Sequence, residues 1–69
     1  MYTEQNDSAK DEIASIIQKL EDVVRKMADS REEISDDNIS RAYRTLNDIE
    51  IELQKIAGKV AGLKFKIEE

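Results

Sequence analysis

Two apolar stripes run through this chain, each at helical spacing. The first comprises Ile13, Ile16, Ile17, Leu20, Val23, Val24 and Met27, separated by steps of three, four and seven that place them on one face of a helix. The second comprises Ile39, Ala42, Leu46, Ile49, Leu53, Ile56, Val60, Leu63 and Ile67. Here steps of three and four alternate without a break over four heptads, and a period of 3.5 implies a left-handed supercoil. Between the stripes the period falters at Ser30, and the polar run Arg31-Glu32-Glu33-Ile34-Ser35-Asp36-Asp37-Asn38 follows.

The pattern predicts two helices. Ser8 is placed to cap the first, with Asp11 and Glu12 in its opening turn where the helix dipole favours negative charge. Ser35 is placed to cap the second, with Asp36 and Asp37 behind it and Ile34 and Ile39 positioned as a hydrophobic staple. The expected organisation is a flexible tail over residues 1–7 and a single domain over 8–69. Within it, helix 1 covers about 9–29, a turn about 30–35, and helix 2 about 36–66. A short turn makes the helices antiparallel neighbours. The fold class is therefore all-α: an antiparallel helical hairpin, expected to assemble into a four-helix bundle or a coiled-coil oligomer.

Two features of this layout ask for a partner. Ile17 and Val24 flank the line of the first stripe and make it wider than a two-helix seam needs. The expected helices are also unequal, roughly 30 Å against roughly 45 Å at 1.5 Å per residue. A hairpin folded near residue 32 leaves Val60, Leu63 and Ile67 beyond the start of helix 1. The far side of helix 2 carries Ile51, Gly58, Gly62 and Phe65. Gly58 and Gly62 form a G-x-x-x-G pair that lets a second helix approach closely, and Phe65 offers an aromatic anchor. An alternative ends the helix at Gly62 in a left-handed residue and reads Leu63–Glu68 as a strand, since apolar and polar residues alternate there.

Composition narrows the function. At 69 residues the chain has room for one small core, and a chain this short needs a disulfide, a metal or a partner to be well stabilised. There is no cysteine and no histidine. This excludes disulfides, the common soft metal sites, the thiol nucleophile and the usual general base. The serines have no activating base, and no phosphate loop is present. An enzyme is not expected, nor is a cofactor or metal; the acidic turn lacks calcium-loop spacing. Eleven basic residues against sixteen acidic give a net charge of -5, which argues against a nucleic-acid partner. No apolar run spans a bilayer and the N-terminus has no signal-peptide core; a cytoplasmic protein is expected.

Lys55, Lys59, Lys64 and Lys66 gather at the end of helix 2, and Asp7, Asp11, Glu12 and Glu21 at the start of helix 1, a charge layout that suits the antiparallel pairing. Tyr43, between Arg41 and Arg44, is expected to lay its ring on the core edge with its hydroxyl in water. The function these features imply is that of a small non-enzymatic protein–protein interaction module, self-associating with a dimer as first expectation, in a structural or regulatory role. The alternative is a small acidic inhibitor or accessory subunit that docks its apolar C-terminal face on a heterologous protein. The residues expected at the interface are Ile17, Val24, Ile51, Gly58, Val60, Gly62, Leu63, Phe65 and Ile67.

Overall fold

A computed structural model describes the backbone of residues 2–68 and the side chains of residues 7–67. It contains two helices, α1 (Tyr2–Ser35) and α2 (Ile39–Glu68), packed as an antiparallel hairpin. The all-α hairpin expected from the periodicity is what the chain adopts.

The seam is built on a strict seven-residue recurrence. Among the described residues, Ala9, Ile16, Val23 and Ser30 are the buried residues of α1, and Ala42, Ile49, Ile56 and Leu63 are those of α2. Run antiparallel, this inner row sets Ala9 and Ile16 with Leu63 and Ile56 at the open end, and Val23 and Ser30 with Ile49 and Ala42 toward the turn. Ser30 tolerates burial because its hydroxyl donates to the Met27 carbonyl at 2.7 Å, leaving no unsatisfied donor.

Helix boundaries differ from those the sequence suggested. The turn is not at 30–35 but at 36–38, because Ser30 continues the inner row and nothing breaks the helix before Ser35. Ser35 does not cap α2. Its hydroxyl donates back to the Arg31 carbonyl at 3.1 Å, inside α1. The helix ends in a Schellman turn: the Asn38 amide donates to the Glu33 carbonyl at 2.7 Å and the Asp37 amide to the Ile34 carbonyl at 3.0 Å. Asp37 takes the left-handed position, with φ 63°, where glycine is the usual occupant. Asn38 then opens α2, its carbonyl receiving the Ala42 amide at 3.1 Å.

At the other end, the segment expected as a tail is helical from Tyr2, and Ser8 lies inside α1 rather than capping it. No glycine or proline interrupts residues 2–35, so the backbone ladder continues upstream of Ala9, the first residue of the inner row. Met1 lies outside the described residues. At the C-terminus α2 runs through Gly58 and Gly62 to Glu68 with neither glycine at positive φ, so the strand alternative is not adopted. The helices are therefore 34 and 30 residues long, and the overhang expected of α2 does not exist: Leu63 is covered by its level with Ala9.

The hairpin is one layer of helices. Its extents are 54 × 15 × 10 Å and its radius of gyration is 16.0 Å, against roughly 11 Å for a compact chain of this length. An L-residue other than glycine in the left-handed region is strained by about 1 kcal/mol. Asp37→Gly is accordingly expected to stabilise the protein by about that amount in denaturant unfolding at fixed protein concentration. A loss of stability would show that the Asp37 side chain contributes more to the turn than its backbone strain costs.

Candidate interaction surface

With only two helices, each heptad has one buried row, and its second apolar row is left at the side of the seam. In α1 that side row is Ile13, Leu20, Met27 and Ile34; in α2 it is Ile39, Leu46, Leu53, Val60 and Ile67. All nine are between 39% and 61% exposed. The two rows run level with each other along the same face of the hairpin. Four residues onward, about 40° further round each helix, lies a rim. It consists of Lys10, Ile17, Val24 and Arg31 on α1 and of Tyr43, Glu50, Ala57 and Lys64 on α2. Ile17 and Val24 are half to two-thirds exposed, and Tyr43 is 73% exposed. The Tyr43 ring therefore sits on the rim of the open face instead of the core edge.

Among the described residues, fourteen large apolar side chains are exposed, against five that are buried; the core is thus the smaller share. Twelve of the fourteen lie on the open face. Their exposed area is on the order of 1,000 Å², beyond the few hundred Å² of an ordinary monomer's largest apolar patch and comparable to one partner's share of a standard interface.

The opposite face is polar. Glu12, Lys19, Lys26 and Glu33 on α1 meet Thr45, Glu52, Lys59 and Lys66 on α2, and it is from these positions that the half-buried polar side chains come. Thr45 Oγ1 donates to Glu33 Oε1 at 2.9 Å, and Arg41 Nε lies 3.4 Å from Glu33 Oε2. At the open end Lys66 Nζ donates to Glu12 Oε1 at 3.0 Å, so the expected meeting of the α2 lysines with the α1 carboxylates is present in this pair. Between these contacts two like charges meet. The Lys19 ammonium, within hydrogen-bonding reach of Lys59 and repelling it, holds the Lys59 amine below its ordinary value of 10.5.

The expected interface residues divide among four places. Ile17, Val24, Val60 and Ile67 are on the open face. Val60 and Ile67 are exposed because they face sideways, not because α2 outruns α1. Leu63 is 7% exposed in the seam and has no surface to offer a partner. Ile51, Gly58 and Phe65 lie on the outer side of α2, away from the open face, and Gly62 borders a cleft on the polar side, beside Glu12, Ser15, Lys59 and Lys66. Around each glycine a β-carbon would meet nothing within 4 Å, so no helix of this chain uses the close approach they permit. Sequence reasoning missed Ile13, Leu20, Met27, Leu46 and Leu53 as surface residues by assigning both apolar rows to one seam. In this hairpin the helices face each other through one row each, which leaves the second row at the side.

No family model matches the sequence, and no curated protein or solved structure matches it either. Among the described residues no helix is long and apolar enough to cross a membrane.

Two outcomes test this description. Gly58→Ala and Gly62→Ala place a methyl group in open space within a helix, and each is expected to stabilise the chain by about 1 kcal/mol in denaturant unfolding. Destabilisation would reveal a close neighbour at that face. The Lys19–Lys59 contact sets a pH dependence. Because the Lys59 pKa is lower folded than unfolded, the unfolded chain binds more protons in the interval between the two values. The penalty is complete below the folded pKa, and stability rises with pH through that interval toward 10.5. Lys19→Gln is expected to raise the melting temperature at neutral pH and to flatten this alkaline rise. An unchanged pH profile would show that the two amines do not interact.

Proposed function

We propose that this protein is a non-enzymatic self-association module: two hairpins stack their open faces into a four-helix bundle, in a structural or regulatory role within a reducing compartment such as the cytoplasm. The observation that carries the reading is the open face itself. Its side rows complete the heptads that the inner rows leave half-used, and two apolar rows per helix is what a four-helix bundle requires. A chain of this size without cysteine or histidine has oligomerisation as its remaining means of reinforcing a thin core. Association adds that reinforcement without a new kind of contact, since the rows that would meet are aliphatic, as most of the seam is.

Light scattering combined with circular dichroism over a dilution series tests this. A species of twice 7.9 kDa whose helicity falls on dilution is expected, because a folded state that exists only as a complex depends on concentration. Leu20→Asp combined with Leu53→Asp, both in the side rows, is expected to abolish association. A fully helical monomer at every concentration would sink the reading. It would leave Ile51 and Phe65, on the outer side of α2, as the surface offered to a different protein.

A further inference from the structure

The polar flank of the seam is closed by complementary contacts toward both ends and interrupted by a like-charged one between them. Glu12 holds Lys66 at the open end, and Glu33 holds Thr45 and Arg41 near the turn. Lys26 and Glu52, of opposite charge, border one hollow on this flank. Lys19 and Lys59 instead bring two ammonium groups together from different helices.

Beside this pair, toward the open end, the flank opens into a cleft of about 410 Å³, within the range of small-molecule sites. Ile16 and Leu63 of the inner row form its floor. Ser15 of α1 and Gly62 of α2 border it, and Lys59 and the Glu12–Lys66 pair stand at its edge. Glycine is among the least favourable residues inside a helix. A β-carbon at position 62 would meet nothing within 4 Å, so packing does not account for the glycine. What its missing side chain does is leave the cleft open on the α2 side.

We propose that this cleft binds a small phosphate monoester, its phosphoryl group held by the Lys59 and Lys19 ammonium groups and its organic part lying on Ile16 and Leu63 beside Gly62. A phosphoryl group carries close to two negative charges at neutral pH, which matches two ammonium groups. Lysine binds phosphate as a point charge, and the Ser15 hydroxyl at the border can donate a further hydrogen bond. The apolar floor favours an ester over the bare ion.

The neighbouring charges leave room for an anion. Lys19 and Lys55 push the Lys59 amine below its ordinary value, and Glu52 pushes it up, so two cations act on it against one carboxylate. Of the other carboxylates, Glu12 is held by Lys66 at 3.0 Å and Asp22 by Arg25 at 2.8 Å. Asp11, the remaining acidic residue within a turn of Ser15, projects to the outer side of α1. A bound dianion turns the Lys19–Lys59 repulsion into two attractions. The site is independent of the self-association reading, because it lies on the face opposite to the open one and stacking leaves it uncovered.

Nuclear magnetic resonance titration of the full chain tests this, with phenyl phosphate, inorganic phosphate and sodium chloride at matched ionic strength. Phenyl phosphate is expected to shift the Ser15 and Gly62 amides saturably, to bind more tightly than inorganic phosphate, and to move the Lys59 amine titration up toward 10.5. Sodium chloride is expected to do none of these. Lys59→Gln, which relieves the repulsion and so keeps the fold, is expected to weaken phenyl phosphate about tenfold by removing one charge-assisted hydrogen bond. Gly62→Leu fills the cleft and is expected to abolish the preference for the ester at unchanged helicity, whereas Lys10→Gln, on the rim of the open face, leaves binding as it was. Shifts that do not saturate, or that Lys59→Gln leaves unaltered, overturn the site. Inorganic phosphate binding as tightly as phenyl phosphate overturns the assignment to a monoester. Light scattering on the same samples reports self-association separately, and either oligomeric state is compatible with an occupied cleft.

Discussion

Every feature of this protein depends on how little of its apolar surface two helices can cover. A helix whose apolar residues recur at three and four has two apolar rows, and in this hairpin the neighbouring helix seals only one of them. Here the sealed row is Ala9, Ile16, Val23 and Ser30 against Ala42, Ile49, Ile56 and Leu63. The row beside it faces water for the length of the molecule. The same constraint gives the hairpin two unlike faces, since the polar positions on the other flank of the seam close over it with hydrogen bonds and ion pairs. The apolar flank has no such closure, and the proposed assembly follows from that difference.

Much of the fold was legible because spacing alone specifies it. The three-and-four alternation locates both helices, and the short polar interval between them makes the pair antiparallel. The turn was harder to read, for a chemical reason. Ser30 is polar yet occupies the inner row, satisfying its hydroxyl on its own helix, so its burial leaves no trace in a hydropathy pattern. Ser35, Asp36 and Asp37 look like the start of a helix because serine and aspartate favour that position. They end one instead, with Asp37 in a conformation where a glycine would have announced the stop. Misplacing the turn shifts the pairing of α1 against α2 by about a heptad. This is why Leu63, which meets the level of Ala9, was expected to be uncovered.

The interaction surface was legible in its width and not in its location. Ile17 and Val24 marked α1 as broader than one seam requires, and they do lie on the rim of the open face. The side rows escaped notice because they belong to the same heptads as the core, and a residue's heptad position does not reveal how many helices surround it. Gly58, Gly62 and Phe65 drew attention by composition, but their places, on the outer side of α2 for Gly58 and Phe65 and beside the polar cleft for Gly62, follow from the register and could not be read before it. Residues that stand out by type and residues left uncovered by geometry are, in this chain, mostly different residues.

The layout of the inner row also shapes how the chain reaches its fold. Sequence separation grows steadily along the seam, from Ser30 and Ala42 beside the turn to Ala9 and Leu63 at the far end. The entropy lost in closing a loop rises with its length, though slowly. The level that closes most cheaply is also the one with the smallest side chains, so it returns almost no hydrophobic gain. The first level to reward closure is Val23 with Ile49. A productive nucleus must therefore reach past the turn to that pair before zipping outward. Having its smallest residues, Ser30 and Ala42, beside the turn delays the point at which folding becomes downhill.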